Sequence, residues 1–466
     1  MPKTRPQNHR PCRVVLACLV ALAAGTAAGQ TEINRRYTET SLGPFPPEVH
    51  ESAVLSPDGR HLAYVDSSDG QRVVLDGKPQ PVYDRVAALQ FSPDGSQLAY
   101  AAQRGGRWCI VAGDRESPGY ERVGPPQFSP DSARLAYVAL LDVGRRAVVV
   151  DGQPGRPCDL ISAGLIEFSP DSARMAYGAM REGKCCLVVD GEELGPFDDL
   201  GTRTGYCFSA DGERLAFAAL VEGKVCVIID GRQQPPCYDV GDLVFSPDGR
   251  RVAYTAQERK DGPWSVVLDG EKQQPYDTIG DGSLQFSPDS ARLAYAAQQA
   301  GRWLAVVDGQ PGEAHERIAQ MLFSPDSKRL ACVVGDGQTE AVVIDGHSER
   351  GFDAIGGGSL VFSPNSRRLG YIARSGWARF VVVDGLRKAR YTMVGYLTFT
   401  PDGRHYAHTA LDKTGAFSVV DGRAAAHRYE SIWNPPGAQL LFDYRDRFHY
   451  LAVKEGEAFL VEEKIE

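Results

Sequence analysis

The sequence predicts an all-β fold: a β-propeller of about eleven four-stranded repeat units, closed by the N-terminal strand. Three observations carry this. A Phe-Ser-Pro-Asp motif recurs about every 40 residues along the chain, a period typical of propeller blades. The segments between motifs share one internal order of short strands and turns. No stretch carries a convincing helical spacing of apolar residues.

The motif reads FSPDG at Phe91 and Phe245, and FSPDS at Phe128, Phe168, Phe286 and Phe323. Variants are LSPDG at Leu55, FSADG at Phe208, FSPNS at Phe362 and FTPDG at Phe399, with a decayed copy at Phe442. The unit around Phe245 shows the order. A short apolar strand, Leu243-Val244-Phe245, meets a turn at Ser246-Pro247-Asp248-Gly249. Pro fixes φ, Asp bonds nearby backbone and Gly tolerates positive φ. A second strand covers Arg251 to Ala256, and a polar loop, Gln257 to Pro263, leads to a third at Ser265 to Leu268. Asp269-Gly270 turns the chain into a weaker fourth strand around Tyr276 to Ile279.

One such unit cannot bury both faces of its sheet, so neighbours must stack. The motif Phe and the Tyr of each Leu-Ala-Tyr are packing residues in this reading. The last unit runs from Phe442 to Val461 with three strands. The segment Tyr37 to Leu42 resembles Tyr429 to Ile432, so it is expected to supply the missing strand and cover an open edge. Eleven units exceed the usual four to eight. One wide ring is preferred over two propellers, because no linker interrupts the repeats between Leu55 and Phe442.

Residues 1–29 read as a signal peptide: Lys3, Arg5, Arg10 and Arg13, then apolar 14–24, then small residues to Gly29. Residues 30–466 form the propeller, with a periplasmic or secreted location. The apolar run is too short to span a bilayer, and no later segment is long enough. The formal charge of −9 lacks the basic footprint of a nucleic-acid binder. Eight cysteines follow the leader, without metal-finger spacing. Most fit as small core residues, and Cys226 with Cys237 is the one pair worth testing as a disulfide.

The FSPDG-x-x-LAY pattern resembles the WD-repeat-like propeller units of TolB-type periplasmic proteins, over nearly all of residues 30–466. The resemblance implies that the strand ending at Phe-Ser-Pro-Asp is innermost. It implies that the SPDG and Asp-Gly turns share one face, and that the loops after the second and fourth strands form the other. This chain has more units than TolB and no separate α/β domain.

No catalytic signature is present: neither G-x-S-x-G nor H-E-x-x-H occurs. No cofactor and no metal is expected. His405, His408, His427 and His449 could meet as ligands, but isolated strand and loop histidines are the preferred account. Arg recurs six residues after the motif Phe, at Arg134, Arg174, Arg214, Arg251, Arg292, Arg329 and Arg368. Because it obeys the repeat, it is expected to satisfy the turn Asp beside it. The innermost strands carry one carboxylate, Glu167, which leaves acid–base catalysis little to work with.

Function is expected where the units differ, in the loops after the second strand. These hold Arg107, Trp108, Arg181, Lys184, Arg259, Lys260, Trp264, Arg302, Trp303 and Trp377. Arg and Trp are residue types that dominate interface hot spots. The resulting expectation is a non-catalytic exported scaffold that binds a protein or peptide through one face. The alternative is a small-molecule or glycan binder, or a hydrolase, working in the channel.

Overall fold

The computed structural model describes residues 35–141, 144–200, 205–349, 351–433 and 440–465; residues 1–29, expected to be a signal peptide, lie outside them. The described residues form eleven antiparallel sheets in chain order. Blade 1 spans residues 54–83, blade 2 85–116, blade 3 122–154, blade 4 160–197 and blade 5 199–233. Blade 6 spans 239–276, blade 7 278–315, blade 8 317–348, blade 9 354–391 and blade 10 393–424. Blade 11 joins 431–464 to the N-terminal strand Arg36–Pro44.

Each motif follows the predicted order. In blade 6, Phe245 pairs with Val252, Tyr254 with Val267 and Leu268 with Glu271. The Ser of the motif is the least exposed polar residue of the turn. Ser246 Oγ donates to Asp248 Oδ1 (2.6 Å) and accepts from the Arg251 N–H (2.9 Å). Its own backbone N–H bonds the Arg251 carbonyl. A buried hydroxyl with both roles filled costs nothing in lost solvation.

The fifth motif position has positive φ throughout, 71° at Gly249 and 66° at Ser290, which explains its restriction to Gly and Ser. A Ser there reaches back: the Asp248 N–H donates to Ser290 Oγ at 3.0 Å. At Gly212 a Cβ would stand 2.2 Å from Asp171 Oδ1 of the preceding blade. Both residue types keep the turns of adjacent blades in contact.

The core is a chain of clusters, each shared by two neighbours. Tyr83, Phe91 and Tyr100 join the first two blades. Tyr206, Phe208 and Phe217 join the fourth and fifth with Leu187. The series returns on itself, because Leu451 and Val453 of the last blade pack with Leu62, Tyr64 and Val74 of the first. The propeller is therefore one ring of eleven blades, not two.

The predicted closure is present. Arg36 pairs with Lys464 and Pro44 with Glu457, with one bulge between Ser41 and Gly43. Arg35 anchors this strand. Its guanidinium lies 2.9 Å from Glu463, with both side chains almost wholly buried, and also donates to the Ser418 and Arg423 carbonyls. Glu463 accepts further bonds from Ser418, His427 and Tyr450. These bonds hold its carboxyl below the ordinary range although burial opposes that.

Cys226 and Cys237 are both free. Cys237 sits opposite Val225, the neighbour of Cys226. Adjacent strand residues point to opposite faces, so the two sulfurs cannot meet.

Candidate functional site

The two faces of the ring are chemically different. The SPDG and Asp-Gly turns share one face, as the resemblance implied, and that face is largely occupied by its own bonds. The recurrent Arg corrects the sequence expectation. It does not serve the Asp of its own SPDG turn, which Ser and nearby N–H groups already hold below the ordinary carboxylate range. It reaches the Asp of the second turn instead: Arg174 Nε to Asp190 is 3.0 Å and Arg251 Nε to Asp269 is 2.9 Å. The same guanidinium lies over the motif Phe of the next blade. The distance is 5.3 Å for Arg174 over Phe208 and 5.6 Å for Arg251 over Phe286. Five of these cations, Arg174, Arg214, Arg251, Arg292 and Arg368, also reach backbone carbonyls in the next turn. The repeated Arg is an inter-blade staple.

The Arg is absent from four of the eleven blades: in blade 1 His61 takes its place and pairs with Asp76, in blade 11 Phe448 stands there, and blades 2 and 10 also differ. In blade 2, Gln97 stands where the Arg would be and Gly113 where the Asp would be; the Gly113 N–H bonds the Leu98 carbonyl as the Asp269 N–H bonds that of Val252. In blade 10, His405 replaces the Arg and pairs with Asp421. A shallow apolar recess of about 620 Å³ lies between Pro364, Phe399, Pro401 and Leu440 to Phe442.

The loop face is organised by a device that the sequence reading passed over. An acidic residue just before the innermost strand accepts an N–H from the loop after the second strand. Gly105 donates to Asp84 (2.8 Å), Glu182 to Asp159 (2.8 Å), Ala300 to Asp277 (2.7 Å) and Gly376 to Asp353 (2.6 Å). The signal was available as the aromatic-Asp pairs Tyr83-Asp84, Tyr276-Asp277 and Phe352-Asp353.

The predicted binding residues divide on this face. Trp108 and Trp264 are half-buried and pack against inter-blade clusters. Trp303 is half-buried beside Gly280. Arg181 turns inward, its side chain 13% exposed and 2.6 Å from Glu193. Lys184 pairs with Asp198 at 2.8 Å. Arg107 and Arg302 extend along their own hairpins to the Gly119 and Ala314 carbonyls. Arg259 and Lys260 are exposed at one loop tip, and Trp377 is fully exposed. The ten residues do not gather into one patch; they lie on five separate blades.

A cleft of about 660 Å³ opens on the same face between blades 2 and 3. Trp108 and Gln103 line it from the blade-2 hairpin, Arg85, Ala87 and Ala88 from the innermost strand, and Glu121 to Pro125 from blade 3. Ala88 has φ of 55° within a strand, a conformation an alanine rarely adopts. The strand pairing is irregular there, between Ala87 and Gln90.

The four C-terminal histidines are dispersed over separate partners. His405 pairs with Asp421, His427 with Glu463 and Tyr450, and His449 with Asp443 and the Asp58 carbonyl. His408 is fully buried between Tyr391 and Tyr406, and burial pushes its pKa down to about 4. Glu167 is partly buried, which raises its carboxyl. It lies near Tyr206 and Cys207, whose thiol is pushed up to about 12.

The fold and its two faces define the class: a β-propeller with a self-bonded turn face and a more open loop face. No family profile and no curated protein matches the chain. Among solved structures it is similar to a eukaryotic initiation factor, at 14% identity over 78% of this chain and 97% of that one, TM-score 0.40. It is also similar to TolB from Acinetobacter baumannii, at 17% identity over 60% and 82%, TM-score 0.26. The Dos1 propeller is a third, at 13% identity over 68% and 94%, TM-score 0.32.

Proposed function

We propose that the chain is a non-catalytic binding scaffold, exported to the periplasm or beyond, that engages a protein or peptide partner through its loop face. The asymmetry between the faces carries the reading. The turn face spends its Arg and Asp residues on holding blades together, whereas the loop face presents Arg259, Lys260 and Trp377 to solvent. Exposed Arg and Trp on a rigid frame suit recognition.

Capture from envelope extract tests this, with the mature chain beside a variant carrying Arg259→Ala, Lys260→Ala and Trp377→Ala. A partner held by the first and lost by the second is expected. A partner retained by both removes these loops from the interface.

The competing reading is a ligand or hydrolytic site in the channel, favoured by the raised carboxyl of Glu167. A raised carboxyl is a functional-site candidate. Glu167→Gln is expected to leave any hydrolase activity of the preparation unchanged; a loss on that one substitution would favour the channel.

A further inference from the structure

We infer that the cleft between blades 2 and 3 binds an acidic peptide, with carboxylates on Arg85 and Arg122 and an apolar side chain against Trp108. The inference rests on the binding-scaffold reading and assigns it a ligand and a place.

Four observations converge. First, Arg85 and Arg122 are exposed cleft residues with no acidic partner among the described residues. Several other cations of this face are neutralised, as Arg104 is by Glu116 (3.2 Å) and Arg145 by Asp159 (3.8 Å). Unpaired guanidinium groups are suited to carboxylates, which they can hold through two hydrogen bonds.

Second, Trp108, Ala87 and Ala88 line the same cleft as the two cations and give it apolar surface, so the ligand carries apolar surface beside its charge. Third, Glu121 stands at the rim without a partner among the described residues, although its counterparts Asp84 and Asp159 accept loop N–H groups. A carboxylate next to a cation suits a ligand offering backbone N–H donors as well as acids, as a peptide does and a simple anion does not.

Fourth, the cleft lies where the ring departs from its own rules. The Arg–Asp staple is missing at this junction, and Ala88 bends the innermost strand at a strained φ. Strained backbone persists where the surroundings enforce it and is concentrated at binding sites.

Fluorescence polarisation on the mature chain tests the proposal. The probe is a labelled, amidated hexapeptide, Asp-Glu-Phe-Glu-Asp-Leu, compared with its neutral form Asn-Gln-Phe-Gln-Asn-Leu. The acidic probe is expected to bind about tenfold tighter or more, less so as salt rises. Arg85→Ala with Arg122→Ala should abolish that preference with unchanged Tm, and Arg367→Ala with Arg445→Ala, two exposed cations of the turn face, should keep it. Equal binding of both probes, or no effect of the Arg85/Arg122 pair, overturns the proposal. Competition by glutarate at the concentration of unlabelled peptide overturns it in favour of a small anion. A partner captured from extract by the Arg85/Arg122 variant as well as by the wild type sinks the cleft but leaves the scaffold reading standing.

Discussion

The Arg174 guanidinium of blade 4 lies 5.3 Å above the ring of Phe208 in blade 5 while it pairs with Asp190 of its own blade. One side chain thus ties two turns and two blades together. Replacing Arg174 by Met keeps the apolar stem and removes the charge. The expected cost is about 1 kcal/mol, since cation–π contacts and ion pairs at partly exposed sites are each worth less than that. Thermal denaturation should show a small fall in Tm, and Arg174→Lys should fall nearly as far, because ammonium lacks the planar face.

The reverse experiment applies at the lapsed junction. Gln97→Arg with Gly113→Asp would rebuild the staple between blades 2 and 3, facing Phe128. A Cβ at Gly113 meets nothing within 4 Å, and its φ of 55° matches the 53° of Asp269. Tm should rise with both substitutions together, by more than the sum of the single changes. An additive result would show that the two new side chains do not pair.

Arg35 and Glu463 form a buried ion pair, for which removal of one partner is expensive. Glu463→Gln should destabilise the ring by about 3–5 kcal/mol, read as a lower denaturant midpoint. Replacing both residues by apolar side chains should cost less than either single change, because no lone charge stays buried.

His408 makes stability depend on pH. Its folded pKa, about 4, lies below the unfolded value near 6.5. Between these values the unfolded chain binds a proton that the folded chain does not. Stability is therefore full above about pH 6.5 and is lost as pH falls toward 4, by about 3 kcal/mol. His408→Phe should flatten the acid limb of a Tm-against-pH curve over this window.

The eight cysteines of residues 35–465 are free, and burial raises Cys207 and Cys332 to about 12. Titration with a thiol reagent should find these two inert at pH 8 in the folded protein and all eight reactive in denaturant. Reductant should leave Tm unchanged; a fall would reveal a disulfide.

The fold was legible in residues because each blade repeats one chemical solution. The Ser, Pro, Asp and Gly of the motif dictate a turn locally, so period and strand order follow. Closure was legible because Tyr37 to Leu42 copies a strand found in another unit. The role of the repeated Arg was only half legible. Its periodicity marked it as structural, but its partners, Asp190 and Phe208 for Arg174, are joined by the stacking of sheets and not by sequence proximity. The loop residues were least legible. Arg181 and Arg259 occupy comparable loops, and only tertiary placement reveals that one faces Glu193 and the other faces water. The cleft was missed because it belongs to two blades, and its clues were single departures: Gln97 for Arg and Gly113 for Asp.

The strand that closes the ring has a mechanical consequence. Arg36 is paired with Lys464, and Pro44 with Glu457, so the leading end of the first strand and the trailing end of the last lie at the same end of their ladder. A load applied across these two residues would open the ladder like a zip, one rung after another, and would not shear all rungs together. Tension delivered there would meet the Arg35–Glu463 pair at the outset, so this latch sets the force at which the ring begins to unfasten.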